Sequence, residues 1–126
     1  MNRFGLKTVL LLMMALLVIR PEVSSAQEPA VNIAGKWTIY ARNVDHPGSS
    51  LKTVVIIQNG NIITGKFKGP HQSGKIQGWI SQNHVEFSTD TREVLTFRGH
   101  FDGTNMSGMS GVHGQHAQWN AERISQ

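Results

Sequence analysis

The sequence predicts an all-β domain, an eight-stranded antiparallel up-and-down meander closed into a barrel. Three observations predict it. Apolar residues alternate at period 2 through most of the chain after residue 33, with no helical stripe. Turn-forming pairs, Asn59-Gly60, Gln82-Asn83 and Asp102-Gly103, interrupt the alternation at hairpin spacing. Four glycines, Gly65, Gly78, Gly99 and Gly108, fall on the inward parity of their strands, where glycine marks a sharp bend or a close backbone approach. Eight is a strand number at which a small sheet can close and abolish its edges. A two-sheet sandwich is the alternative.

The expected strands are 35–42, 51–59, 61–68, 74–81, 84–89, 93–102, 105–111 and 117–124. Their inward apolar residues run from Trp37, Ile39 and Ala41 through Val54, Ile56, Ile63, Phe67, Ile76 and Ile80. They continue with Val85, Phe87, Leu95, Phe97, Phe101 and Met106 to Ala117, Trp119 and Ala121. The connections of the meander alternate between the two ends. Those at one end are short hairpins. Those at the other are mostly longer, at 43–50, 69–73, 90–92 and 112–116. One end therefore reads as closed, and the other as an open mouth.

Residues 1–26 read as a removable secretory signal peptide. Arg3 and Lys7 precede an apolar run of 11 residues, Val9 to Ile19, and Ser24-Ser25-Ala26 offers small residues for cleavage. The run is about half the length a spanning helix needs, so no stable membrane span is expected after cleavage. Residues 27–33 form a lead-in, and 34–126 a single barrel domain. The expected location is periplasmic or secreted. Without the leader the chain carries 9 basic and 7 acidic residues, a net charge of +2, which does not suggest a nucleic-acid binder. With no cysteine there is no disulfide, no thiolate metal site and no cysteine nucleophile.

The favoured function is binding a small, mostly apolar molecule at the open end, in contact with Ile39, Val54, Ile56, Phe67, Phe87, Phe97 and Trp119. A second reading is a protein-interaction or inhibitor module using the loops or an outer apolar patch of Val55, Ile57, Ile62 and Trp79, with a homo-oligomer formed through strands 2–4. A third is a periplasmic metal binder. His46, His71, His113 and His116 all fall on open-end connections, and imidazoles in such a group suit Zn²⁺ or Cu²⁺. No other cofactor is suggested. Lys52, Lys66, Lys68 and Lys75 read as one basic outer side. No hydrolase, metalloprotease or phosphate-loop motif is present, so the chain is not expected to be an enzyme.

Gly35-Lys36-Trp37 opening the first strand, with Arg123 near the end of the last, resembles the calycin group of lipocalins, fatty-acid-binding proteins and avidins. Ile63-Thr64-Gly65-Lys66-Phe67 is similar to an avidin strand. The resemblance implies a small calycin-like barrel of an exported bacterial kind, with a cavity at one end. It also implies a basic residue, Arg123, packed across Trp37 at the closed end. The avidin biotin contacts, the lipocalin flanking helix and the internal arginines of fatty-acid-binding proteins have no counterpart here.

Overall fold

A computed structural model describes residues 31–126. The signal-peptide reading and most of the lead-in lie outside the described residues. Eight strands follow in order: β1 (Gly35–Asn43), β2 (Ser49–Asn59), β3 (Ile62–Lys68), β4 (Ser73–Ser81), β5 (His84–Thr89), β6 (Thr96–Phe101), β7 (Asn105–Val112) and β8 (Gln115–Ser125). Each pairs antiparallel with the next, and β8 pairs back onto β1, so the sheet is a closed up-and-down barrel. Among the described residues no helix is long and apolar enough to cross a membrane.

The inward glycines set how tightly the sheet coils. A Cβ on Gly65 would fall on the Val55 carbonyl oxygen, and one on Gly78 on that of Glu86. The same collision would occur between Gly99 and Ser107 and between Gly108 and Arg98. Neighbouring backbones therefore cross where no side chain stands between them. The large side chains occupy the space beside these gaps: Gly78 pairs with Phe87, and Gly108 with Trp119.

The interior is packed with side chains. Trp37, Ile39, Val54, Ile63, Ile80, Val85, Phe97, Met106 and Ala121 are fully buried. Phe87 stacks on Phe97 at 4.8 Å between ring centroids, and the Trp119 ring meets Phe97 edge-on at 5.6 Å.

Residues 31–34 plug the closed end. Ile33 is fully buried and its carbonyl accepts from Trp37 Nε1 at 2.9 Å. Gln58 holds the same segment from the far side, donating to the Val31 carbonyl and accepting from the Ile33 N–H. The register sets Trp37 opposite Arg123, whose guanidinium carbon lies 4.8 Å from the indole centroid. Arg123 also donates to the Asn32 carbonyl at 2.7 Å. One arginine thus ties first strand, last strand and plug together.

The turns depart from the sequence reading in kind. The β2–β3 turn is residues 60–61, with positive φ at Gly60 alone, so it is shifted by one from Asn59-Gly60. Gln82 alone carries positive φ in the β4–β5 turn. The β6–β7 connection is not a two-residue turn. Asp102 Oδ1 accepts from the N–H groups of Thr104 and Asn105, making an Asx turn that holds the carboxyl below the usual carboxylate range. The two-residue turn with both φ positive is at His113 and Gly114 (φ 49° and 78°), where a longer loop was expected at 112–116. His116 is consequently a strand residue. β6 begins at Thr96 rather than 93, because Thr89 Oγ1 accepts from the Leu95 N–H and folds residues 90–95 into a capped loop.

Gly78→Ala and Gly108→Ala should each cost about 3 kcal/mol, since the new methyl meets backbone that cannot rotate away. Gly60→Ala, which faces open space at φ 65°, should cost about 1–2 kcal/mol. Urea unfolding of the three variants reads the order.

Candidate functional site

The open end carries the connections 44–48, 69–72, 90–95 and 113–114. Hydrogen bonds tie 69–72 to 90–95, and 44–48 to the start of β8. Gln72 bridges two loops: its Nε2 donates to the Glu93 carbonyl at 2.8 Å, and its Oε1 accepts from the Glu93 N–H at 3.1 Å. Asp45 Oδ2 accepts from the His116 N–H at 2.8 Å, and the Val44 N–H donates to the His116 carbonyl at 3.1 Å. Thr89 and Thr91 join hydroxyl to hydroxyl at 2.6 Å beneath the 90–95 loop. The loops are therefore held in two groups, 69–72 with 90–95 and 44–48 with the start of β8.

Beneath the rim the inward face turns polar on one side. Val54 pairs with Trp37, Lys52 with Ile39 and Ser50 with Ala41. Directly paired residues of an antiparallel ladder share a face. Because Trp37, Ile39 and Ala41 are buried core residues, Lys52 and Ser50 point inward. This corrects the placing of Lys52 on the outer basic side. Strand parity counted from Val54 predicts the inward direction, and it overrides grouping lysines by charge. Lys52 is half-buried, and its ammonium donates to Ser50 Oγ. Burial pushes its pKa below the ordinary lysine value. Among the described residues no carboxylate lies within ion-pair distance of it.

On the other side of β1, Trp119 pairs with Ala41. Its indole N–H is buried and has no acceptor among the described residues. A buried donor without a partner costs about 1–3 kcal/mol, so it marks a place where an acceptor is missing. Ser110, also buried, lies inward beside Ala117. Trp119, Ala41 and Ser50 thus form one inward row across three strands, and Ala121, Ile39 and Lys52 form the next. On β1, Ala41 and the fully buried Ile39 stand between the indole and the ammonium.

The seven residues expected to contact a small molecule, Ile39, Val54, Ile56, Phe67, Phe87, Phe97 and Trp119, all lie on the inward face and are buried. They pack on one another. The four rim histidines do not converge. His113 lies 3.7 Å from Glu93, and His116 Nδ1 lies 3.4 Å from Asp45, as separate exposed pairs. His46 and His71 stand exposed on different loops. Among the described residues no group of three His, Asp or Glu side chains is placed to hold a metal ion.

The outer wall carries its own features. Val55, Ile57, Ile62 and Trp79 are exposed, with Ile62 and Trp79 directly paired across β3 and β4. A depression of about 410 Å³ runs beside Trp79, past Thr64, Gln77 and Glu86. A second, of about 350 Å³, adjoins it along Ile57, Lys66, Lys75 and Asp90. Trp79 lies against His84, with ring centroids 5.2 Å apart.

No family model matches the chain, and no curated protein matches it either. The closed eight-stranded antiparallel barrel is consistent with a calycin-like barrel.

Lys52→Met keeps the length of the side chain and removes a desolvated charge. It should raise stability by up to about 1 kcal/mol, read as a higher melting temperature. A drop would mean that the ammonium has a stabilising partner in the folded protein.

Proposed function

We propose that this is an exported binding barrel that takes a small organic molecule at its open end, and that it is not an enzyme. The observation that carries the reading is the buried Trp119 indole N–H without an acceptor, set on a polar inward patch under a pinned rim. The signal-peptide layout of residues 1–26 supports export. The calycin-like barrel supports binding at one end. The packing of Phe87, Phe97 and Trp119 on one another supports a bound molecule above that aromatic layer rather than among the deepest core residues. Its apolar part would rest on the upper edge of the layer, and its polar part on Lys52, Ser50 or Ser110. The two rim histidine–carboxylate pairs are exposed, which suits a fixed surface rather than an acid–base machine.

The test is a titration of the ¹⁵N-labelled mature chain with cyclohexanol, benzamide, benzoate and 4-oxopentanoate. At least one should move the Trp119 indole resonance together with the amides of Ala41, Ser50, Ser110 and Ala117. Shifts confined to the outer wall, or no shift with any of the four, would contradict the reading.

A second reading has one observation in its favour. The exposed Ile57, Ile62 and Trp79 stand together on strands β2–β4, which fits contact with a second copy of the chain. Sedimentation should then show concentration-dependent association that Trp79→Asp abolishes. A wild-type chain that stays monomeric at high concentration removes this reading.

A further inference from the structure

We infer that the outer wall carries a saccharide-binding furrow. A short neutral oligosaccharide lies across β3–β7 on the side chains of Thr64, Gln77, Ser88 and Thr96, with one sugar ring against Trp79. The furrow is separate from the open end, and neither reading depends on the other.

The ladder register builds the furrow. Thr64 pairs with Gln77, Gln77 with Ser88, Ser88 with Thr96 and Thr96 with Gly111. Along their strands these residues alternate with buried ones, so the row faces outward. Thr64, Ser88 and Thr96 are short, and Gly111 has no side chain. The next outward row is taller: Ile62, Trp79, Glu86, Arg98 and Met109, paired in the same strand order. Three depressions lie along the boundary. One of about 410 Å³ runs past Thr64, Gln77 and Trp79. One of about 350 Å³ extends from the same floor towards Lys66 and Lys75. The third, of about 340 Å³, is lined by Thr96, Arg98, Met109 and Gly111. The Ser88 and Thr96 hydroxyls, 3.4 Å apart, link the first two to the third. At the usual spacing of neighbouring strands the row is about 19 Å long, which suits a short oligosaccharide.

The chemistry of the two rows selects the occupant. Hydroxyl and amide side chains both donate and accept hydrogen bonds, as sugar hydroxyls do, so floor and ligand match without a charge. The taller row supplies apolar surface for the carbon face of a sugar. Trp79 is 40% exposed, and Ile62 and Met109 are exposed beside the same floor. The electron-rich face of an indole suits the weakly positive C–H groups of a pyranose ring. His84 lies against Trp79, and Glu86 adds an accepting carboxylate on the neighbouring strand. Two other occupants fit less well. The barrel leaves no free strand edge, so an extended peptide has no ladder to join. An anion would need an unpaired cation in the furrow, and the Arg98 guanidinium lies 3.7 Å from Glu86. Lys66 and Lys75 flank the furrow only at its β3–β4 end.

The test titrates the ¹⁵N-labelled mature chain with cellotetraose, maltotetraose and the tetramer of N-acetylglucosamine. At least one should move the Trp79 indole resonance together with the amides of Thr64, Gln77, Ser88 and Thr96. The matching monosaccharide should bind at least about tenfold more weakly, because it meets only part of the row. Trp79→Ala should weaken the tetrasaccharide about fivefold or more. Thr96→Val, which keeps the shape and removes the hydroxyl, should weaken it about threefold. Tyr40→Ala, an exposed aromatic on β1 outside the furrow, should leave the affinity unchanged. All three substitutions are at positions outside the buried core, and the amide spectrum of each variant verifies its fold.

No shift with any of the three tetrasaccharides would overturn the inference. So would sugar-induced shifts confined to Ala41, Ser50 and Ser110, which would leave the open-end reading standing and the furrow without a ligand. Tighter binding of tetragalacturonate than of every neutral chain, lost in Lys66→Ala/Lys75→Ala, would overturn the neutral assignment. Self-association that Trp79→Asp abolishes, with no sugar shift, would give this wall to a second copy of the chain instead.

Discussion

The close approach of neighbouring backbones at Gly65, Gly78, Gly99 and Gly108 is the constraint on which the rest of the structure depends. A side chain at any of these positions would hold two strands apart. With none there, the sheet coils sharply enough for β8 to reach β1 over short strands. Closure removes the edges that an open eight-stranded sheet would expose. It also narrows the barrel, so that side chains fill it. The aromatic residues lie beside the glycines because the missing side chains leave them room.

The narrow barrel decides where binding chemistry can sit. A filled interior has no place for an unpaired charge, and the closed end is sealed by Ile33, Trp37 and Arg123. Apart from Arg123, which is held over Trp37 and bonded to Asn32, the inward polar groups lie towards the open end. Lys52, Ser50, Ser110 and the Trp119 N–H occur there, and two of them have needs that the described residues do not meet. An inward lysine that is desolvated and unpaired opposes stability.

Most of the architecture was legible in the sequence because it rests on local rules. Alternation marked the strands, and turn residues marked the hairpins. Inward glycine spacing marked the coil. The Gly35-Lys36-Trp37 and Arg123 pairing pointed to the contact that closes the lower end. What was not legible depended on finer geometry. His113-Gly114 forms the tightest turn of the open end, and a histidine in the left-handed region is a weaker signal than Asn-Gly. His116 was drawn into a loop by the same misreading. Lys52 was grouped with Lys66, Lys68 and Lys75 by charge, although its parity with Val54 and Ile56 places it inside. The orphaned Trp119 N–H has no sequence signal at all, because it depends on which neighbours lack an acceptor.

The account's central claim is that an unpaired lysine faces into the open end of a tightly closed barrel. The most direct test is the pKa of Lys52, measured from its side-chain ¹³Cε and ¹⁵Nζ resonances. The account predicts a value below that of a free lysine, because burial disfavours the charged form. A Lys52 that titrates like a free lysine would contradict it.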